Sequence, residues 1–219
     1  MRTRLYTWPE AGATFTAADP DGISLSQSTA GAANLTITGI EASGGSWTPT
    51  VPRFALITSV SSDESGKTFT FTGTDRNGDP LTEAIAGPTA AGTVATTQNW
   101  GSITQIAVSA ALTANVIVGT NAAADTKVIP LDRYASDISY DVHLSAGASL
   151  TWNWQYTLED PRGSGYTAPD GQDAKWYNDS GTQTGDLSRT SDGPLSACRV
   201  EITGYTSGIL SMNLNTANR

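Results

Sequence analysis

Residues 69–120 repeat one arrangement: a short run in which apolar and polar residues alternate, closed by glycine, proline or asparagine. Alternation with period two sends successive side chains to opposite faces of an extended strand, so the stretch is restricted to β-structure. Lys67-Thr-Phe-Thr-Phe-Thr-Gly73 is followed by Asp75-Arg-Asn-Gly-Asp79 and then by Leu81-Thr-Glu-Ala-Ile85. The Asn-Gly dipeptide predicts a hairpin closed by a two-residue turn. Residues 100–108 and 115–119 supply two further apolar runs bounded by turn residues. Hardly a side chain here has reactive chemistry, which points to a scaffold.

The same signal recurs on both sides of this stretch. Strands are expected at 23–26, 34–38 and 53–60, and again at 137–145, 149–158, 195–203 and 208–214. Short strands at roughly ten-residue spacing, separated by Gly, Ser and Pro clusters, indicate a sandwich or barrel. No segment keeps three-and-four apolar spacing for three turns, so long helices are not expected. The fold class is therefore all-β, two sandwich- or barrel-like parts of short antiparallel strands with an extended N-terminal arm. Residues 1–20, with Trp8-Pro9, Gly12 and Asp19-Pro20, read as the arm. Residues 21–122 read as the first β-domain and 126–219 as the second, divided at Asn121-Ala-Ala-Ala-Asp125. The turn-rich segment 160–193 reads as a long loop, functional or packed on a neighbouring subunit. An arm that clamps a neighbour predicts that deleting residues 1–20 leaves the fold intact.

With 219 residues the chain can bury a core without covalent staples. Cys198 is its single cysteine and lies in the apolar run 195–200, so a buried thiol is expected. No run approaches the roughly twenty apolar residues of a membrane span, and a membrane partner is not expected. The first ten residues lack the apolar core of a secretory signal, which predicts synthesis in a cytosol. A net charge of −9 with twelve scattered Lys and Arg argues against nucleic acid, whose binding depends on neutralising phosphates.

The candidate sites are few. Asp75-Arg-Asn-Gly-Asp79 opens like a calcium loop, but Pro80 and Ala86 stand where glycine and a carboxylate are needed, so a hairpin is favoured over a metal. His143, the only histidine, reads as a strand residue facing away from the core with Asp141, opposite a face of Ile138, Tyr140, Val142 and Leu144. No nucleophile elbow, zinc set or phosphate loop accompanies it, so no catalytic, cofactor or metal residue is assigned. Glu159, Asp160, Asp170 and Asp173 offer carboxylate pairs of the kind that cap turns. Trp152, Trp154, Tyr156 and Leu158 share one face of a strand; such a stripe is the core of a sandwich more often than a platform for sugar rings. Tyr6, Trp8, Trp47, Trp176 and Tyr177 remain as interface anchors, since aromatic residues are enriched at protein contacts.

Residues 69–83, followed by Gly92, Trp100, Ile103 and Val116-Ile-Val-Gly119, resemble a module of tailed-bacteriophage virion structural proteins. Leu131-Asp-Arg-Tyr134, Thr157-Leu-Glu-Asp-Pro161, Trp176 and Ala197-Cys-Arg-Val200 are similar to the same proteins. The resemblance implies a non-enzymatic component made in the host cytoplasm and placed on the outer surface of the virion. Its leading form is a capsid decoration, or cement, protein that bridges major capsid subunits, with itself as a homotrimer and the major capsid protein as partners. A tail, head-to-tail adaptor or fibre-attachment component is the first alternative, and a carbohydrate-binding β-module the second.

Overall fold

The computed structural model describes residues 2–10, 13–131, 135–161, 174–179, 181–192 and 195–218. Every regular element among them is a strand, and every strand pair is antiparallel. Among the described residues, no helix is long and apolar enough to cross a membrane. The fold is all-β and sandwich-like, in two compact units: 18–121, and 1–17 together with 122–219. The first is inserted in the sequence of the second, and the two are called here the inserted and the split unit.

The chain opens with β1 (Arg2–Trp8), which belongs to the split unit. The inserted unit then follows, with β2 (Ser24–Gln27), β3 (Ala33–Asn34), β4 (Ala42–Ser43), β5 (Ser46–Trp47) and β6 (Ala55–Ser59). It continues with β7 (Thr68–Thr74), β8 (Pro80–Ala86), β9 (Thr93–Ala95), β10 (Ser102–Val108) and β11 (Val116–Thr120). One sheet runs β4-β5-β10-β7-β8, with β3 also on β10; the other runs β2-β11-β6-β9. Alternation selects what most strands bury: Phe69 and Phe71 from β7, Ile57 from β6, Val116 and Val118 from β11; on β10 a register shift between Ile103 and Gln105 lets Ile103 join Ile106 and Val108 in the core. Both sheets feed one core, which also takes in Trp47 and Trp100.

The β7–β8 hairpin is closed by five residues, not two. Asp75 Oδ1 accepts the N–H groups of Asn77 (2.8 Å) and Asp79 (2.9 Å), while Asp75 N–H donates to the Asp79 carbonyl at 2.9 Å. Only Gly78 takes a positive φ, 88°, so the Asn-Gly pair does not form the turn with two left-handed residues that was expected. The buried Asp75 carboxylate displaces it by organising the loop itself, a use typical of aspartate in turns. The ends of this unit meet: Thr120 N–H donates to the Asp19 carbonyl (2.8 Å) and Asp19 N–H to Thr120 Oγ1 (3.0 Å). Gly119 permits the approach, since a Cβ there would lie 2.2 Å from the Asp19 carbonyl oxygen.

The split unit adds β12 (Ala124–Asp125), β13 (Ile129–Pro130), β14 (Ala135–Leu144), β15 (Ser149–Thr157) and β16 (Tyr177–Asn178). It ends with β17 (Leu187–Asp192), β18 (Ala197–Ser207) and β19 (Leu210–Asn218). One sheet has the order β1-β19-β14-β17; the other runs β12-β18-β15-β16, with β13 also on β18. The Tyr140 ring on β14 stacks on Trp154 of β15, with centroids 4.1 Å apart and planes 5° from parallel, which joins the two sheets in one core. Ile138, Val142, Met212 and Leu214 enter it from one sheet and Trp152, Cys198, Val200 and Ile202 from the other. Leu158, expected on the aromatic face, is 57% exposed just past the end of β15.

Two expectations are corrected here. Residues 2–8 are no free arm, because β1 pairs with β19 at every position from Arg2↔Thr216 to Trp8↔Leu210. Segment 160–193 is no continuous loop, because it contains β16 and β17. Asp132, Arg133, Tyr134, Asp170 and Asp173 lie outside the described residues.

Candidate functional site

The densest polar assembly lies on the face of the β12-β18-β15-β16 sheet opposite its core. Alternation that sends Trp152 and Trp154 into the core necessarily sends Asn153 and Gln155 to the other side, with Arg199 and Glu201 from β18 and Asp125 from β12. Arg199 lies 2.8 Å from Asp125 as an ion pair, and its Nε–H donates to Gln155 Oε1 at 2.7 Å. The Gln155 amide donates onward to Asn178 Oδ1 (2.9 Å) and Glu201 Oε2 (3.0 Å), and Asn153 donates to the same Glu201 oxygen at 2.8 Å. Trp176 lies over the Arg199 guanidinium, 4.4 Å from centroid to Cζ. Asp125, Asn153, Gln155 and Arg199 are all buried, and a buried charge is stable only when paired and hydrogen-bonded in this way. The ladder fixes β16 to β15 and so places Trp176 and Tyr177 at the unit's half-exposed margin.

The five aromatic candidates separate into two groups. Trp8 and Trp47 are buried within their own units, which corrects their reading as surface anchors. Trp8 packs on Phe15 and Tyr205, with centroids 4.7 and 5.5 Å away. Trp47 sits in the core opposite Ile103, its indole N–H donating to Glu41 Oε2 at 3.2 Å. Nearby prolines correctly marked turns, but a turn backbone can still send a large ring inward. Tyr6, Trp176 and Tyr177 are half-buried. The Tyr177 ring stacks on Tyr156 at 5.6 Å, and Lys175 Nζ lies 5.1 Å from its centroid. Trp152 and Trp154 are wholly enclosed, so the two tryptophans of the aromatic stripe of β15 belong to the core and are not exposed for sugar stacking.

The reactive residue types are likewise held in structural pairings. His143 lies between Asp186, 3.1 Å from Nδ1, and Asp141, 3.3 Å from Nε2. Its pKa is raised above the ordinary 6.5, first by the hydrogen bond to Asp186 and then by Asp141. Burial pushes the Cys198 thiol up to about 12, which removes the thiolate needed for reactivity. Burial alone would raise the Glu64 pKa; Lys67 and the N–H groups of Ala114 (2.8 Å) and Thr113 (2.9 Å) hold it below its ordinary value. Glu159 accepts the Lys175 N–H at 2.9 Å. Among the described residues, no group of three or more His, Cys, Asp or Glu is placed to hold a metal.

The buried ladder escaped sequence reasoning, because polar residues alternating with tryptophans read as a solvent face. Its one signal was chemical variety, with amides, carboxylates and a guanidinium falling at alternate positions. No protein-family model matches the chain, and no curated protein matches it. Among solved structures, the crystal structure of PBSX exported protein XepA is similar at 10% identity and a TM-score of 0.28, covering 94% of this chain and 86% of that one. At that score the likeness carries no argument about fold or activity.

Proposed function

We propose that the chain is a structural component of a tailed-bacteriophage particle, and specifically a decoration protein that stabilises the capsid by bridging major capsid subunits. The observation that carries the reading is that its reactive side chains serve structural pairings: Arg199 with Asp125, Lys67 with Glu64, His143 between two aspartates, and Cys198 sealed in the core. A protein built in this way acts by binding. A ligand that engages only the assembled shell raises that shell's stability by mass action, and repeated copies multiply modest contacts. The resemblance of residues 69–83 and 197–200 to virion proteins supports placing the shell in a phage, with synthesis in the host cytoplasm and a position on the outer surface. Half-exposed Tyr6, Trp176 and Tyr177 are among the aromatic side chains of the described residues that could contact the shell.

Electron cryo-microscopy of purified particles carrying the protein tests this directly. Hundreds of copies distributed over the shell are expected; a handful at one vertex would instead make it a tail or head-to-tail component. Shells stripped of the protein should disassemble at lower temperature than decorated ones. Equal midpoints would remove the stabilising role while leaving the location intact.

A further inference from the structure

Asn77-Gly78 is the only Asn-Gly pair in the sequence, and it lies exposed in the loop that closes the β7–β8 hairpin. An asparagine before glycine carries a reaction of its own, because a following residue without a side chain leaves its amide nitrogen open to approach the asparagine side chain. The Gly78 nitrogen, once it has given its proton to solvent, attacks Cγ of Asn77. The bond from Cγ to Nδ2 then breaks, ammonia leaves with a proton returned by solvent, and a cyclic imide remains. Water opens that ring at either carbonyl, giving aspartate at position 77 or the isomer whose backbone runs through the side chain. Water is the sole co-reactant, and no oxidant is needed. Access is open, since a Cβ built on Gly78 would meet nothing within 4 Å.

The closed loop nevertheless holds both reacting groups, and it does so through one residue. Asp75 Oδ2 accepts from Asn77 Nδ2 at 3.3 Å, Asp75 Oδ1 accepts the Asn77 N–H at 2.8 Å, and the Asp75 carbonyl accepts the Gly78 N–H at 3.2 Å. Asp75 is itself fixed, being buried and bonded through its own N–H to the Asp79 carbonyl. Ring closure requires the Gly78 nitrogen to lose its proton and the Asn77 side chain to swing onto it, and each movement breaks one of these bonds. We infer that Asn77-Gly78 is a latent modification site, kept as asparagine by Asp75 while the hairpin is closed and converted by water when it opens. The conversion also removes the contact that prevented it. Nδ2, a donor to Asp75, is replaced by a carboxylate oxygen, so that an acceptor faces an acceptor. The altered residue therefore records that the hairpin has opened.

This inference stands apart from the virion reading, because the reaction needs only water and is measured on the isolated chain. The full chain is held in mildly alkaline buffer, either folded or in urea, and peptide mapping by mass spectrometry reads the fraction of position 77 converted over time. Asp75→Ser is treated alongside it, since serine keeps one oxygen for the loop N–H groups and loses the one that holds the Asn77 amide. In buffer the variant should convert about tenfold faster than the parent, a scale set by losing a hydrogen bond to a charged group. In urea the two chains should convert at the same rate, and faster than the folded parent by at least that factor. Circular dichroism establishes that the variant is folded. A folded parent that converts as fast as the chain in urea overturns the proposal without reference to any variant, as does a chain that stays unconverted in urea. A folded variant that keeps the parent's rate, or one whose excess persists in urea, removes Asp75 as the restraint and overturns it equally.

Discussion

His143 stands half exposed on β14 between two carboxylates, Asp141 on its own strand and Asp186 just before β17, with Ser211 opposite on β19. Asp186 also accepts the Leu144 N–H at 2.8 Å, which fixes the carboxylate beside the ring and lowers its own pKa. The folded chain therefore holds the imidazolium more tightly than the unfolded chain, whose histidine titrates near 6.5. The resulting stabilisation is fully present below pH 6.5 and disappears as pH rises through the higher folded midpoint. With a single histidine in the sequence, proton NMR gives one imidazole titration. Its midpoint should lie above 6.5 and return toward that value in Asp186→Asn. A parent midpoint at or below 6.5 would mean the carboxylates do not engage the ring in solution.

At the scale of elements, β1 joins sequence to stability. Arg4, Tyr6 and Trp8 form its inward face, and Trp8 closes a cluster with Phe15 and Tyr205 in which the latter two rings are 4.9 Å apart, nearly perpendicular. Removing residues 1–17 deletes an edge strand and two of these three rings, so the split unit should lose cooperative unfolding instead of keeping its fold. Trp8→Ala alone should cost about 3–5 kcal/mol, read by urea denaturation. A stability within 1 kcal/mol of the parent would return the segment to the status of an arm. Why β1 was read as an arm is plain from its inward residues: an arginine, a tyrosine and a tryptophan give no aliphatic alternation. The strands that carry Phe69 and Phe71, or Ile138, Tyr140 and Val142, show that alternation openly and were legible. Two-residue strands such as β4, β12 and β16 contain no period to read. β17 has one apolar residue, Leu187, because an exposed edge demands little more. The core face of β15 was legible for the same reason that its polar ladder was not: burial of Arg199 depends on Trp176, more than twenty residues away along the chain, and strand pattern contains no such information.

At the scale of the whole molecule, the order of the sequence and the order of folding units differ. The inserted unit interrupts the split unit between β1 and β12, and its two ends are tied by the paired hydrogen bonds of Asp19 and Thr120. Termini that meet at one point are the geometry in which an insertion leaves its host least disturbed. The inserted unit also has a core drawn from both of its own sheets, with Trp47, Trp100, Phe69 and Phe71 fully enclosed, and Arg53 bonded to the carbonyl of Asn121 at its last residue. Burial at that size suffices for independent folding, whereas residues 122–219 lack the β1 edge and the Trp8 and Phe15 rings that complete their sheet and aromatic cluster. A fragment of residues 18–121 should therefore unfold in one cooperative transition with the near-ultraviolet signature of ordered tryptophans. A fragment of 122–219 should not, until a peptide of residues 1–17 is supplied. If 18–121 is unfolded alone, its core depends on the rest of the chain and the two units are one cooperative body. If 122–219 folds without the peptide, β1 is an accessory strand, and an edge strand that its own sheet can release is one that a neighbouring copy can exchange.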